Sequence, residues 1–436
     1  MNLAGVIGGH ADDRIALIEG DDRVDFGTLR GRVAAMQVDL EARGVGVDTT
    51  VALATGNDVA FAVSALAVLG LGGIVMPLNP SSPTSELARK LAVANPSMLL
   101  VGHAGRLHLG DPAVGTPTID LIEMASDAAA AHEAGEAPTA PVIIDRPDGA
   151  PAFYLATSGV SGAAKVAVLS HDNLSWIHEA LHRIDPPLTP DDVTLGILPF
   201  THIFGLNVVL LASLEAGAAI VLQQRFDAEE SLRLVREHGV TMLTGAPPMW
   251  QRWLDADSPD DSMASVEFAA SGAAALPIGL FEGVKERFGV EIAQGYGLTE
   301  TSPVVTLGRG VPVRPTSVGR VLPGVDVALV DESGAPVDVG DEGEIVVRSP
   351  GVFLGYLDDQ ETTDSVLSED GWLWTGDVGI FDDDGYLYLV DRIKDIVIVS
   401  GFNVYPAEVE NVLMQHPGVS GAIVTGSPDE ATGETV

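Results

Sequence analysis

The clearest chemical signal in the chain is a run of hydroxyls and glycines closing on a lysine, Thr157-Ser-Gly-Val-Ser-Gly-Ala-Ala-Lys165. Gly159 and Gly162 permit sharp turns that bring backbone N–H groups close to an anion. Thr157, Ser158 and Ser161 add hydroxyl donors, and Lys165 adds a mobile positive charge. Together these residue types make a phosphate cradle. The spacing is not that of the common P-loop, which needs G-x-x-x-x-G-K-[ST]. A Gly/Ser-rich surface turn is the competing reading. The lysine argues against it, because the chain has only four: Lys90, Lys165, Lys285 and Lys394.

A second constellation is Gln294-Gly-Tyr-Gly-Leu-Thr-Glu300. Tyr296, between Gly295 and Gly297, can offer an aromatic face to a flat base. Thr299 brings a hydroxyl, and Glu300 a hard carboxylate suited to Mg²⁺ on phosphates. A third is Leu198-Pro-Phe-Thr-His-Ile-Phe-Gly205, in which His202 stands among apolar residues. Such a histidine is as readily a core residue as a functional one. Ser158 is not in a G-x-S-x-G elbow, and no H-E-x-x-H run points to a catalytic transition metal.

Composition narrows the partners. With 62 acidic against 23 basic residues the net charge is −39, which argues against nucleic acid or an anionic membrane. An anionic nucleotide would then need local positive charge from Lys165, Arg392 or bound Mg²⁺. The chain has no cysteine, so disulfides, thiolate metal sites and a cysteine nucleophile are excluded. The first residues lack a basic signal-peptide region, and a cytoplasmic setting is expected. Val59 to Met76 is uncharged, but Gly70, Gly72 and Gly73 break it and Pro77 follows. It reads as a buried helix (59–69) turning into a buried strand (73–77), not as a span.

The elements that must position these residues read as α/β. Thr28 to Arg43 sets Leu29, Val33, Met36 and Leu40 on one helical face. Short apolar runs then alternate with helical ones, as in βαβ units around a largely parallel sheet. Residues 123–150, rich in Ala, Glu, Asp and Pro, read as an unperiodic connector between two halves. From Ser317 helices are expected to stop, giving a β-rich part with a turn at Asp384-Gly385. Past Asp391 a strand (395–400) and a helix (406–414) begin a further unit.

The phosphate loop resembles the signature of the adenylate-forming superfamily of acyl-CoA synthetases, luciferases and peptide-synthetase adenylation domains, roughly T-S-G-[ST]-T-G-x-P-K-G. The chain departs from that pattern at Val160, Ala164 and Val166. Ser271-Gly-Ala-Ala-Ala-Leu-Pro277 and the Tyr296 segment resemble the family's adenine-binding stretches, in the same order. The resemblance implies an ATP site of Thr157, Ser158, Gly159, Ser161, Gly162, Lys165, Gly272, Ala273, Ala274, Gly295, Tyr296, Gly297 and Thr299. In it Asp377 and Arg392 hold the ribose and Glu300 holds Mg²⁺. It further implies that Thr157, Lys165, Thr299, Glu300 and His202 are catalytic. An acyl group would be held by His202, Phe204, Gly205, Gly245 and Gly272. Lys394 would be the hinge, with Gly401 and Phe402 facing CoA.

The fold implied is a large N-terminal domain (1–391) followed by the start of a small α+β C-terminal domain (392–436). The large domain comprises two βα-layered subdomains (about 1–145 and 150–310) and a β-rich one (315–391). The activity implied is ATP-dependent ligation of a carboxylic acid, of medium- or long-chain fatty type, to CoA. Peripheral membrane contact and oligomeric state are left open. The sequence ends at Val436 without the family's late lysine, which implies slowed adenylation, by about 10²–10³ for one lost donor. Two rivals stand: a non-catalytic nucleotide- or acyl-AMP-binding relative, and an acyl-AMP ligase that loads a carrier protein. The second usually carries an insertion for which there is no spare segment between Gly319 and Asp377.

Overall fold

The computed structural model describes residues 1–102, 116–157, 165–392, 397–399, 402–404, 406–414, 416, 418–419, 422–429 and 433–436. Four sheets organise them. A seven-stranded sheet runs in the order Gly355–Tyr356, Lys165–Ser170, Pro151–Thr157, Ile74–Pro77, Thr50–Ala54, Met98–Val101, Thr118–Asp120. A nine-stranded sheet has Ile292–Tyr296, Phe268–Ser271, Met242–Gly245, Val193–Gly196 and Ala219–Leu222 as neighbours, all parallel. It is flanked by Thr306–Leu307 and Arg320–Val321 on one side, and by Ile15–Glu19 and Asp22–Asp25 on the other. The α/β reading of the sequence therefore holds.

The sheets cut across the order of the chain. The N-terminal hairpin 15–25 joins the nine-stranded sheet through Leu17 opposite Ile220. The late strand Gly355–Tyr356 pairs antiparallel with Lys165–Ser170, setting Tyr356 opposite Ala167. An antiparallel four-stranded sheet takes Asp326–Val330, Gly343–Arg348, Leu373–Phe381 and Leu387–Arg392. A smaller one follows in the C-terminal residues, with Val399 opposite Phe402.

Helix Val59–Gly70 shows why an uncharged run need not span a membrane. All twelve of its residues are buried inside the protein, and Asp58 caps it by accepting from Phe61 N at 2.7 Å. Among the described residues no helix is long and apolar enough to cross a membrane.

Two expectations are corrected. The first part of the supposed connector is a helix, Leu121–Glu133, which packs along helix Phe26–Ala42. Asp120 caps it, and Leu121, Met124 and Ala128 bury one face at helical spacing. Alanine, which blurred the periodicity, is itself the strongest helix former. The rest of the segment is pinned: Gln37 donates to Val142 O at 2.8 Å and accepts from Val142 N at 2.8 Å. Helices also do not stop at Ser317, because Gln360–Val366 forms one, capped by Asp359. A cap outside an apolar run leaves little periodic signal.

Two histidines under the seven-stranded sheet are buried and neutral. His171 Nδ1 accepts from Leu3 N at 3.1 Å, and His178 Nε2 lies 2.8 Å from Asn207 Oδ1. Burial, first among the causes, lowers each pKa from 6.5 to about 4. The unfolded chain therefore binds more protons than the folded one between pH 6.5 and 4. Stability is fully present above pH 6.5 and is lost as pH falls through that window. Denaturant titrations should show unfolding free energy falling from pH 7 to pH 5, with a flatter slope in the His171→Gln/His178→Gln variant. An identical slope in the two proteins would refute this.

Candidate functional site

The sheets meet at a cleft of about 880 Å³. Strands Pro151–Thr157 and Lys165–Ser170 pair antiparallel with Thr157 opposite Lys165, so both ends of the phosphate loop open into it. Ser158, Gly159, Ser161 and Gly162 lie outside the described residues, as do Lys394 and Gly401. Phe402 opens the strand Phe402–Val404.

Glu300 enters the cleft from a short 3₁₀ turn, Thr299–Thr301, with Thr299 beside it on the wall. Tyr356 closes the arrangement. Its hydroxyl donates to Glu300 Oε1 at 2.6 Å, and its ring centroid lies 5.2 Å from Lys165 Nζ. Burial, and then the Glu300 charge, push the phenol well above its usual value, so it remains a donor. Nothing local marks Tyr356 in the sequence. It reaches the site only because its strand adds to the edge formed by Lys165–Ser170. Tyr356→Phe removes a hydrogen bond to a charged carboxylate, worth about 1.5–3 kcal/mol. The expected result is a lowered unfolding midpoint together with a raised KM for MgATP, read by denaturant titration and by steady-state kinetics at varied Mg²⁺.

The opposite wall brings Tyr296 and Arg392 together over Asp377. Tyr296 donates to Asp377 Oδ2 at 2.7 Å, and Arg392 Nε lies 3.0 Å from Asp377 Oδ1. Asp377 is only 6% exposed, so Tyr296 and Arg392, not the carboxylate, line the cleft. Burial and the neighbouring Asp377 raise the Tyr296 phenol. Adjacent strands hold Asp377 opposite Arg392, and Tyr296 reaches them from the nine-stranded sheet. Gly297 is required by packing, since a Cβ there would stand 1.5 Å from Pro303 O.

Gly272 and Ala273 line the cleft, whereas Ala274 is exposed outside it. A Cβ on Gly272 would sit 3.0 Å from the Phe204 ring, so this segment touches the apolar side of the site directly. His202 opens onto the cleft just before Phe204–Leu211, a π-helical stretch of the kind that often accompanies functional sites. Crowding by the cleft walls lowers its pKa, which favours the neutral imidazole. Gly205 and Gly245 line neither the cleft nor the apolar pocket behind it. Added Cβ atoms would meet Pro199 O at 2.3 Å and Trp253 at 2.8 Å, so both are packing glycines. Phe204 lines both spaces.

Positive charge in the cleft exceeds what sequence reasoning supplied. Arg89 and Lys90, from helix Thr84–Ala94, stand on its rim with Glu86, which pairs with Lys90. As for metal, the described residues contain no group of three or more His, Asp or Glu that could hold an ion. Glu300, a hard carboxylate on the cleft wall, is the residue that would hold Mg²⁺, whose charge would offset that of a phosphate.

Residues 7–357 match the family described as AMP-binding enzyme. The chain is 32% identical to 4-coumarate–CoA ligase 5 of Oryza sativa subsp. japonica, over 97% of its own length and 81% of that protein's. It is 35% identical to feruloyl-CoA synthase of an Amycolatopsis species, over 96% and 84% respectively. The crystal structure of ATP-bound MatB from Rhodopseudomonas palustris matches with a TM-score of 0.90 at 32% identity, covering 100% of this chain and 87% of that one.

Proposed function

The chain belongs to the AMP-binding enzyme family of adenylate-forming acid–CoA ligases, and from that premise we propose that it joins a carboxylic acid to CoA through an acyl-adenylate. The observation that carries the proposal is the convergence of Thr157, Lys165, Thr299, Glu300, Tyr296 and Arg392 on one cleft that adjoins an apolar pocket, with Phe204 lining both. Lys165 and Thr157 would hold the β- and γ-phosphates, and Thr299 the α-phosphate. Tyr296 and Arg392, backed by Asp377, would hold the nucleoside. Glu300 would hold Mg²⁺, which offsets phosphate charge when bound.

An oxygen of the acid would attack the α-phosphorus while the bond to pyrophosphate breaks, leaving acyl-AMP. The CoA thiolate would then attack the acyl carbon, and AMP would leave. The protein's part is to position these groups and stabilise developing charge. His202, on the wall of the cleft, would orient the carboxylate. The aliphatic lining, including Leu181, Leu188, Val208 and Val209, supports a fatty acyl group. We place the reaction in the cytoplasm, where ATP and CoA are supplied.

The test is acid-dependent ATP–pyrophosphate exchange across aliphatic and aryl acids, followed by AMP release with CoA. Exchange confined to aryl acids would refute the fatty-acyl part. ATP binding without exchange by any acid would leave a non-catalytic nucleotide-binding protein.

A further inference from the structure

The charge balance of the cleft runs opposite to that of the chain. The sequence carries 62 acidic residues against 23 basic ones. Among the described residues, the cleft walls bear the cations Arg89, Lys90, Lys165 and Arg392 against only two carboxylates, Glu86 and Glu300. A nucleotide with its metal accounts for Lys165, Arg392 and Glu300. It leaves Arg89 and Lys90 over. They come from helix Thr84–Ala94, which packs on strand Lys165–Ser170, with Leu87 and Leu91 buried in one cluster with Val166. That strand belongs to the seven-stranded sheet, whereas Tyr296 and Arg392 reach the cleft from two other sheets. The extra cations therefore stand beside Lys165, on a different sheet from the residues assigned to the nucleoside.

Helical spacing puts Glu86, Arg89 and Lys90 on one face, three and four residues apart. Lys90 pairs with Glu86, and Ser82 Oγ donates to the same carboxylate at 3.3 Å. The hydrogen bond from Lys90 comes first in holding the Glu86 carboxyl below its ordinary value, and the Arg89 charge acts in the same direction. One oxyanion at this spot thus already feels both cations. Arg89 has capacity to spare, because it is exposed on the rim and its side chain has no hydrogen-bond or ion-pair partner among the described residues. A guanidinium with its fork unengaged, next to an ammonium, matches the oxygens of a phosphate. Against a net charge of −39, cations on the rim also ease the passage of a polyanion.

We propose that Arg89 and Lys90 form a second phosphate seat on the rim of the cleft, distinct from the loop that ends in Lys165. Two phosphate compounds of the reaction can use it. One is pyrophosphate on its way out, once its bond to the α-phosphorus has broken. The other is CoA, whose phosphates lie at the opposite end of the molecule from its thiol. Glu86 competes with either of them for Lys90. This inference rests on the acid-activating reading above and adds a place where phosphate is held outside the nucleotide site.

The probes are magnesium pyrophosphate, CoA and pantetheine, the last carrying the thiol arm without phosphate, titrated calorimetrically into the full chain beside MgATP. Arg89→Gln/Lys90→Gln should weaken pyrophosphate, CoA or both by about tenfold, the loss of charge-assisted contacts at an exposed site. Pantetheine should be unaffected. A loss for pyrophosphate alone names the leaving group as the occupant, and a loss for CoA alone names the thiol substrate. Glu86→Gln should move the same ligand the other way, because Lys90 is released. Arg233→Gln/Lys285→Gln removes equal charge from two exposed ion pairs outside the cleft and should leave every ligand unchanged. An equal loss in that control would reduce the effect to the general field and overturn the seat. Pantetheine weakened as much as CoA would place the contact on the thiol arm and overturn the phosphate assignment. Pyrophosphate and CoA binding the rim variant as they bind the parent, or failing to bind a parent that takes MgATP, would overturn the inference and leave the adenylating reading standing. If MgATP does not bind either, the adenylating reading itself fails, and this inference with it.

Discussion

Lys165→Ala is expected to lower acid-dependent ATP–pyrophosphate exchange by about 10²–10³, the usual cost of losing one preorganised charge-stabilising donor. The magnitude follows from the setting. The chain carries a net charge of −39, so a tetraanionic nucleotide approaches against the field of the whole protein. Lys165 stands where a strand opens into the cleft, with the Tyr356 ring 5.2 Å away and Asp359 near enough to feel its charge. The side chain is partly exposed at a strand end, where truncation alone usually moves stability by no more than about 0.5 kcal/mol. Lost exchange with an unchanged denaturation midpoint therefore reads as lost phosphate contact. Lys165→Arg should recover part of the activity by restoring the charge. Exchange within twofold of the parent in Lys165→Ala would show that the loop is not the phosphate site.

Asp377→Ala should act on both folding and nucleotide binding. The carboxylate is buried, accepting from Tyr296 on one oxygen and pairing with Arg392 on the other. Truncation leaves the Tyr296 hydroxyl, itself buried, without its acceptor, at a cost of about 1–3 kcal/mol. The half-exposed Arg392 loses its anchor and swings free of the cleft wall, so the KM for ATP should rise at least about tenfold. Asp377→Asn separates the two effects. Its side-chain oxygen still accepts from Tyr296, whereas the ion pair to Arg392 is gone. Stability should return in Asn while ATP affinity stays low. A variant in which both return together would show that the carboxylate's charge is irrelevant to the nucleotide.

Much of this site could be read residue by residue before any fold was known. Loop chemistry is local: hydroxyls, glycines and a lysine within nine positions announce an anion site wherever they are placed. Regular elements were legible for the same reason. Met98–Val101, Ala219–Leu222, Ile278–Phe288 and Pro406–Met414 carry their boundaries in short apolar periods and flanking breakers. Where alanine flattened the period, as in Leu121–Glu133, the same reasoning missed a capped helix.

By itself, then, the sequence determined the residue types available for phosphate, base and metal, and the α/β rhythm that carries them. Tertiary structure alone decided which of them meet. Tyr356 joins Glu300 and Lys165 because a two-residue strand adds to a distant edge, and a strand's partner is chosen by register and burial, not by its own residues. Gly205 and Gly245 look like pocket residues in the sequence, yet their missing side chains make room for Pro199 and Trp253. His178, Thr244 and Arg309, far apart in the chain, come to line one apolar pocket. Contacts between residues far apart in the chain depend on how whole sheets close on one another, and local pattern carries no record of that closure.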